Sequence, residues 1–168
     1  MQTIDMGRPA ASLSELADIE AIKHLKHAYF RLLDSKKFTE LGQLLVEDAT
    51  TSYESGKYSQ HGREEVVEFL EKSLGDPGIV HEHLGHHPEI VITGDTSASG
   101  TWYLHDRVVV PTADYELGGT AIYTDDYVKV DGNWRIRHTG YVRIYEEHRQ
   151  HSTGAVTTFR SRFVPSDN

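Results

Sequence analysis

Four of the eleven histidines fall within seven residues, at His81, His83, His86 and His87. Histidine titrates nearest neutral pH and is also the commonest metal ligand. The cluster therefore has three readings. His81, His83 and His86 could ligate zinc, iron or manganese, as His-X-His with a third histidine does in cupins. One of them could be a general base. Or the stretch is a solvated polar loop.

Base chemistry needs partners, and the chain offers four: Tyr29, Asp34, Asp106 and Arg143. A carboxylate bonded to one imidazole nitrogen fixes the tautomer and raises the basicity of the other. Asp34 with His83 fits that role. Tyr29, a neutral donor in apolar surroundings, fits stabilisation of a developing enolate oxygen. Asp106, if burial raises its pKa, fits holding or protonating a leaving hydroxyl. Such parts suit proton abstraction beside a carbonyl followed by loss of water, which requires no metal and no organic cofactor. Phosphate-loop, dinucleotide-glycine and serine-elbow patterns are absent. Cupin-like metal sites lie on strands of a double-sheet roll, whereas this chain opens with helical periodicity, which weakens the metal reading.

The elements that must position these residues are legible in outline. Ser12 to Glu15 has the form of a capping box. Behind it Leu16, Ile19, Ile22, Leu25, Tyr29 and Leu32 recur every three or four residues, predicting an amphipathic helix to Asp34 or Ser35. Tyr29 lies on its apolar stripe, so the hydroxyl needs a polar partner. Asp34 closes the helix, where the macrodipole disfavours an acid, so another group must hold it. Phe38–Val46 reads as a second helix, residues 50–53 and 58–60 as a strand and turn, and Arg63–Leu74 as a third helix. Gly75 to Gly78 breaks the chain before the histidine loop, and Glu89–Thr93 reads as a strand. Then the period changes to two. Strands are expected over Ala98–Val110, Gly119–Val130 and Trp134–Glu146, with a tight hairpin at Asp131-Gly132.

Strand parity puts Asp106 on one face with Trp102, Leu104 and Val108, where an acid pairs with a buried cation or lines a pocket. Arg143 shares a face with Tyr141 and Tyr145. Helices first, then long antiparallel strands, predict an α+β fold: three helices on one strongly curved sheet, a cone with an open mouth. Residues 1–11 read as a flexible arm, 12–148 as the single domain, and 149–168 as a tail lying over the pocket or a neighbouring subunit.

At 168 residues the chain suffices for one well-cored domain. With no cysteine it has no disulfide, thiolate metal site or cysteine nucleophile. A net charge of −9 argues against nucleic acid as partner. No signal-like or membrane-spanning run is found, and a cytoplasmic location is expected. Nine tyrosines and two tryptophans suit a pocket for a large, partly apolar ligand.

Several stretches resemble a known family. They are Ile19 to Lys26 with Tyr29, Phe30, Leu33 and Asp34; Ser52, Tyr53, Gly56 and Lys57; His83 to His86 with Pro88 to Ile90; Trp102 to Arg107; Gly118, Gly119 and Tyr123 to Asp125; and Thr139 to His148, TGYVRIYEEH. Across residues 18–148 the chain resembles the SnoaL-like group of the nuclear-transport-factor-2 and scytalone dehydratase superfamily, most closely its bile acid 7α-dehydratases. The resemblance implies a cystatin-like cone, a homotrimer, and a dehydratase acting on a 3-oxo-4-ene, 7-hydroxy steroid, free or as a coenzyme A thioester. It places the catalytic tyrosine at Tyr29, the base at His83, its aspartate at Asp34, the strand aspartate at Asp106 and an ordering arginine at Arg143. Tyr53 and Trp102 are candidates for the substrate pocket or for the core. A lyase acting on lignin-derived aryl diols and a non-catalytic binding domain are the alternatives.

Overall fold

The structure is a computed structural model that describes residues 12–161 and residue 163. The expected arm at 1–11 and the end of the tail lie outside the described residues. Helix α1 (Leu13–Asp34), α2 (Phe38–Gly42) and α3 (Arg63–Leu74) pack against a six-stranded mixed sheet of β1 (Leu45–Ser52), β2 (Val80–Gly94), β3 (Ser97–Val110), β4 (Tyr115–Val130), β5 (Asn133–Gln150) and β6 (Val156–Ser161). The order is β1-β5-β4-β3-β2, with β6 pairing the far end of β5. Among the described strands β1 and β5 run parallel, and the other pairs are antiparallel. Bulges in β2 and β5 bend the sheet around the helices. This is the expected α+β cystatin-like cone, with the sheet open rather than closed on itself.

Helix α1 begins as its sequence predicts. Ser12 Oγ accepts from the Glu15 backbone N–H at 3.2 Å, and Glu15 Oε2 accepts from Ser12 N–H at 2.7 Å. Its buried stripe is Ile22, Leu25, Lys26, Tyr29, Phe30 and Leu33. With Leu41, Leu45, Leu104 and Ile136 its apolar members form one core. Each large apolar side chain so buried contributes about 1.5–3 kcal/mol, more than the helix propensities of the same residues can differ by.

Three expectations need correction. The second helix ends at Gly42, not Val46: Leu44 to Val46 is an apolar run too short to reveal its period, and pairing with β5 makes strand of it from Leu45 onward. The histidine stretch is no loop. It is the first half of β2, paired residue by residue with β3 from His81↔Val108 to His86↔Tyr103. Beyond residue 148 the chain continues β5 to Gln150, then turns back and forms β6, where Phe159 stacks on Tyr145. Asp131 and Gly132 both take positive φ in the β4–β5 hairpin, as an Asp-Gly turn requires.

Candidate active site

Strand β2 alternates, and this alone splits the histidines. His81, His83 and Gly85 face the helices; Glu82, Leu84 and His86 face away. Gly85 has a specific task. A Cβ there would overlap the Phe30 ring, so a bare backbone lets α1 press directly on β2. One helical turn past Phe30, Asp34 then meets the two inward histidines.

Asp34 is held by three donors. Oδ1 lies 2.7 Å from His83 Nδ1 and 3.1 Å from His81 Nδ1, and Oδ2 accepts the His83 backbone N–H at 2.9 Å. Burial alone would raise the Asp34 carboxyl; the bonds from His81 and His83 overrule it and hold it well below the usual range. These bonds are the counterweight that an acid at a helix carboxyl end requires. A carboxylate accepts, so His83 carries its proton on Nδ1 and turns Nε2 outward as a lone-pair base.

His83 lines a cavity of about 320 Å³ with Tyr29, Tyr53, Asp106, Tyr123, Tyr141 and Arg143. The Tyr29 and Tyr53 hydroxyls lie 2.8 Å apart. Two hydroxyls sharing one hydrogen bond keep one O–H free to donate into the cavity. Burial pushes both phenols above their ordinary range, so they stay protonated donors. The wall beside them is aromatic: Tyr53 stacks between Phe69 at 6.0 Å and Tyr141 at 5.5 Å. Burial likewise lifts Tyr141, to about 12.

Asp106 is the register partner of His83 on the adjacent strand, so both leave the sheet on one face. Arg143 donates to it through both terminal nitrogens, at 2.5 and 2.6 Å. Burial works against the guanidinium, but the bonds and charge of Asp106 raise Arg143 above its ordinary value. Both Asp106 oxygens thus accept from one fixed cation. This pairing occupies the oxygens that the expected part in protonating a leaving group would use.

The structure also decides the open placement of Trp102 and changes the expected face of Tyr145. Trp102 is fully buried and absent from the cavity wall; its Nε1 donates to Tyr127 Oη at 3.0 Å, and the ring packs edge-on against His27. It is a core residue. Tyr145 leaves the face of Arg143 because the extra residue at the β5 bulge, Ile144, turns the following side chains over.

The metal trio does not assemble. His86 is exposed on the opposite face from His83. Asp34, His81 and His83 do bring three ligand atoms within 4.8 Å of one another. However, His81 Nε2 lies 3.2 Å from Lys36 Nζ, an ammonium that only donates. Nε2 must accept there, the proton sits on Nδ1, and Nδ1 has no lone pair for a metal. This donor set does not fit an ion.

Sequence reasoning missed His81 and Lys36, and it missed a buried ion pair behind the tyrosines. Lys26 Nζ lies 2.8 Å from Asp125 Oδ2, both side chains wholly buried, and 3.9 Å from the Tyr123 ring centroid. The alternation His-Glu-His could have revealed His81. Lys26 on an otherwise apolar stripe was the signal for the pair.

Comparison with known proteins agrees with this architecture. An uncharacterised protein of Mycobacterium tuberculosis is 24% identical over 136 residues, covering 78% of this chain and 88% of that protein. A hexachlorocyclohexane dehydrochlorinase from Novosphingobium barchaimii superposes with a TM-score of 0.70 at 18% identity, covering 92% of this chain and 99% of that one. A candidate scytalone dehydratase from Novosphingobium aromaticivorans gives 0.68 at 23% identity, covering 92% and 93%. The family model described as a SnoaL-like domain matches residues 14–140, and the chain belongs to that family.

Proposed function

We propose that the protein is a cofactor-independent lyase that eliminates water from a hydrophobic polycyclic enone. The observation that carries this is His83: Nδ1 is tied to Asp34 at 2.7 Å while the ring lines the cavity that holds the Tyr29–Tyr53 hydroxyl pair. A base and an oxyanion donor facing one apolar space suit enolisation. The family resemblance suggests a 3-oxo-4-ene, 7-hydroxy steroid, free or as a coenzyme A thioester.

In this reading His83 Nε2 removes the γ-proton of the enone. The C–H electron pair moves through the conjugated system to the carbonyl oxygen, which receives the free O–H of the tyrosine pair. The dienolate then collapses, the C–O bond to the hydroxyl breaks, and the hydroxyl takes a proton from the His83 imidazolium to leave as water. Arg143 and Asp106 keep that wall of the cavity charged and fixed. The cavity volume of about 320 Å³ is at the small end of ligand pockets, roughly 300–1,000 Å³. The reacting rings would occupy it, and a side chain or thioester would extend through the mouth.

A second reading is favoured by the stacked wall of Tyr53, Phe69 and Tyr141: a lyase on aryl diols, where the same base expels water or formaldehyde. A turnover screen separates the two. Growth of dienone absorbance with 3-oxo-4-ene, 7α-hydroxy steroids or their thioesters supports the first. Turnover of aryl diols alone replaces it with the second. Tight binding without turnover of any of them contradicts both. Leu84, Tyr103 and Val142 are exposed on the back of the sheet, and we propose this face for homotrimer contacts, which sedimentation checks.

A further inference from the structure

We propose that His81, held by Lys36, is a positioning residue that sets the proton affinity of the His83–Asp34 pair. The inference rests on His83 being the base, and it concerns a residue beyond the reacting atoms.

Helix α1 ends in a Schellman motif: Lys37 N–H donates to Leu32 O at 2.8 Å and Lys36 N–H to Leu33 O at 3.0 Å. Lys36 occupies the left-handed position of that motif, φ 56°, where glycine is usual and a side chain costs on the order of 1 kcal/mol. This cost is offset by what the lysine does. Its Nζ donates to Leu74 O at the end of α3 and to His81 Nε2 at 3.2 Å. The backbone turn thus aims an ammonium at an imidazole whose side chain is wholly buried.

The consequence runs along a chain of four groups. Lys36 donates to His81 Nε2, so His81 is neutral with its proton on Nδ1. That proton goes to Asp34 Oδ1, the same oxygen that accepts from His83. A second donor on Oδ1 draws charge from it. It weakens the hold of Asp34 on a protonated His83. The other charged groups around the pair are Asp76, which faces Lys36, and Asp106 with Arg143, which face His83 from β3 and β5. Burial lowers the Lys36 ammonium, and the charges of Asp76 and Asp34 oppose that lowering.

Nitrogen-15 NMR of histidine-labelled protein tests this without a substrate. His81 and His83 are both expected as Nδ1–H tautomers; an Nε2–H tautomer for His81 overturns the proposal. The kinetic arm compares His81→Leu, which removes the donor, with His81→Asn, which keeps one near the Nδ1 position. In His81→Leu the acid limb of kcat/KM should move up by about one pH unit, the worth of one hydrogen bond to a charged group. KM should stay within about twofold, and His81→Asn should restore the limb. Equal profiles in wild type and both variants overturn the role. If His81→Leu does not fold, Lys36→Met serves: His81 should then take up a proton at mildly acid pH, and an unchanged His81 signal there counts against the proposal. If no substrate turns over, the lyase reading fails while the tautomers still decide this inference.

Discussion

Asp34 Oδ1 accepts from His83 Nδ1 at 2.7 Å, and Oδ2 of the same carboxylate accepts the His83 backbone N–H at 2.9 Å. One acid therefore fixes both the ring and the strand that carries it. This contact has a pH signature. The folded-state pKa of Asp34 is lowered, so the pair adds stability above the ordinary carboxylate pKa. That stability is lost as pH falls through the lower folded value. Acid unfolding of the wild type should show this loss below about pH 4. Asp34→Asn should be less stable than wild type at pH 7, with the gap narrowing toward pH 2. A constant gap, measured by denaturant titration at both pH values, argues against the linkage.

The tyrosine pair predicts an unequal effect of two similar substitutions. Whichever hydroxyl donates to substrate should cost roughly a hundredfold or more in kcat when removed. Its partner only orients it and should cost less. Tyr29→Phe is expected to be the larger loss and Tyr53→Phe the smaller, with KM changing little in both. Equal and slight effects would remove the oxyanion role from the pair.

Behind the tyrosines, Lys26 and Asp125 are wholly buried at 2.8 Å. Asp125 Oδ2 also accepts from Tyr127 Oη at 2.7 Å. Breaking one partner leaves an uncompensated charge, so Lys26→Met should lose about 3–5 kcal/mol. The double variant Lys26→Met with Asp125→Leu should recover most of that. Denaturant melts read both, and failure of the second change to recover stability contradicts the account.

Gly85 sets how closely α1 approaches β2. Gly85→Ala must push Phe30 aside, costing about 1–3 kcal/mol, and should also part Asp34 from His83. Loss of activity should therefore exceed loss of stability. A variant as active as wild type would show that the close approach does not position the pair.

Much of this site was legible in the chain. Helical period placed Tyr29 inward and Asp34 at a helix end that an acid does not favour, and that misfit pointed to a partner. Strand parity placed Asp106 inward. What escaped was distance along a strand: parity gives the face of Trp102, but not that it lies under α1 rather than beside the cavity. Strand β2 was hidden because polar residues on both faces resemble a loop. The β5 bulge, which separates Tyr145 from Arg143, leaves no local signal. Lys26 and Asp125 are 99 residues apart, and only the fold brings them together.

The central claim is that His83 is the base. The direct test is the rate of His83→Ala beside wild type on the substrate identified by the turnover screen, with circular dichroism to establish that the variant is folded. The account predicts a loss of roughly a hundredfold or more in kcat and near-unchanged substrate binding. Full activity in folded His83→Ala would contradict it.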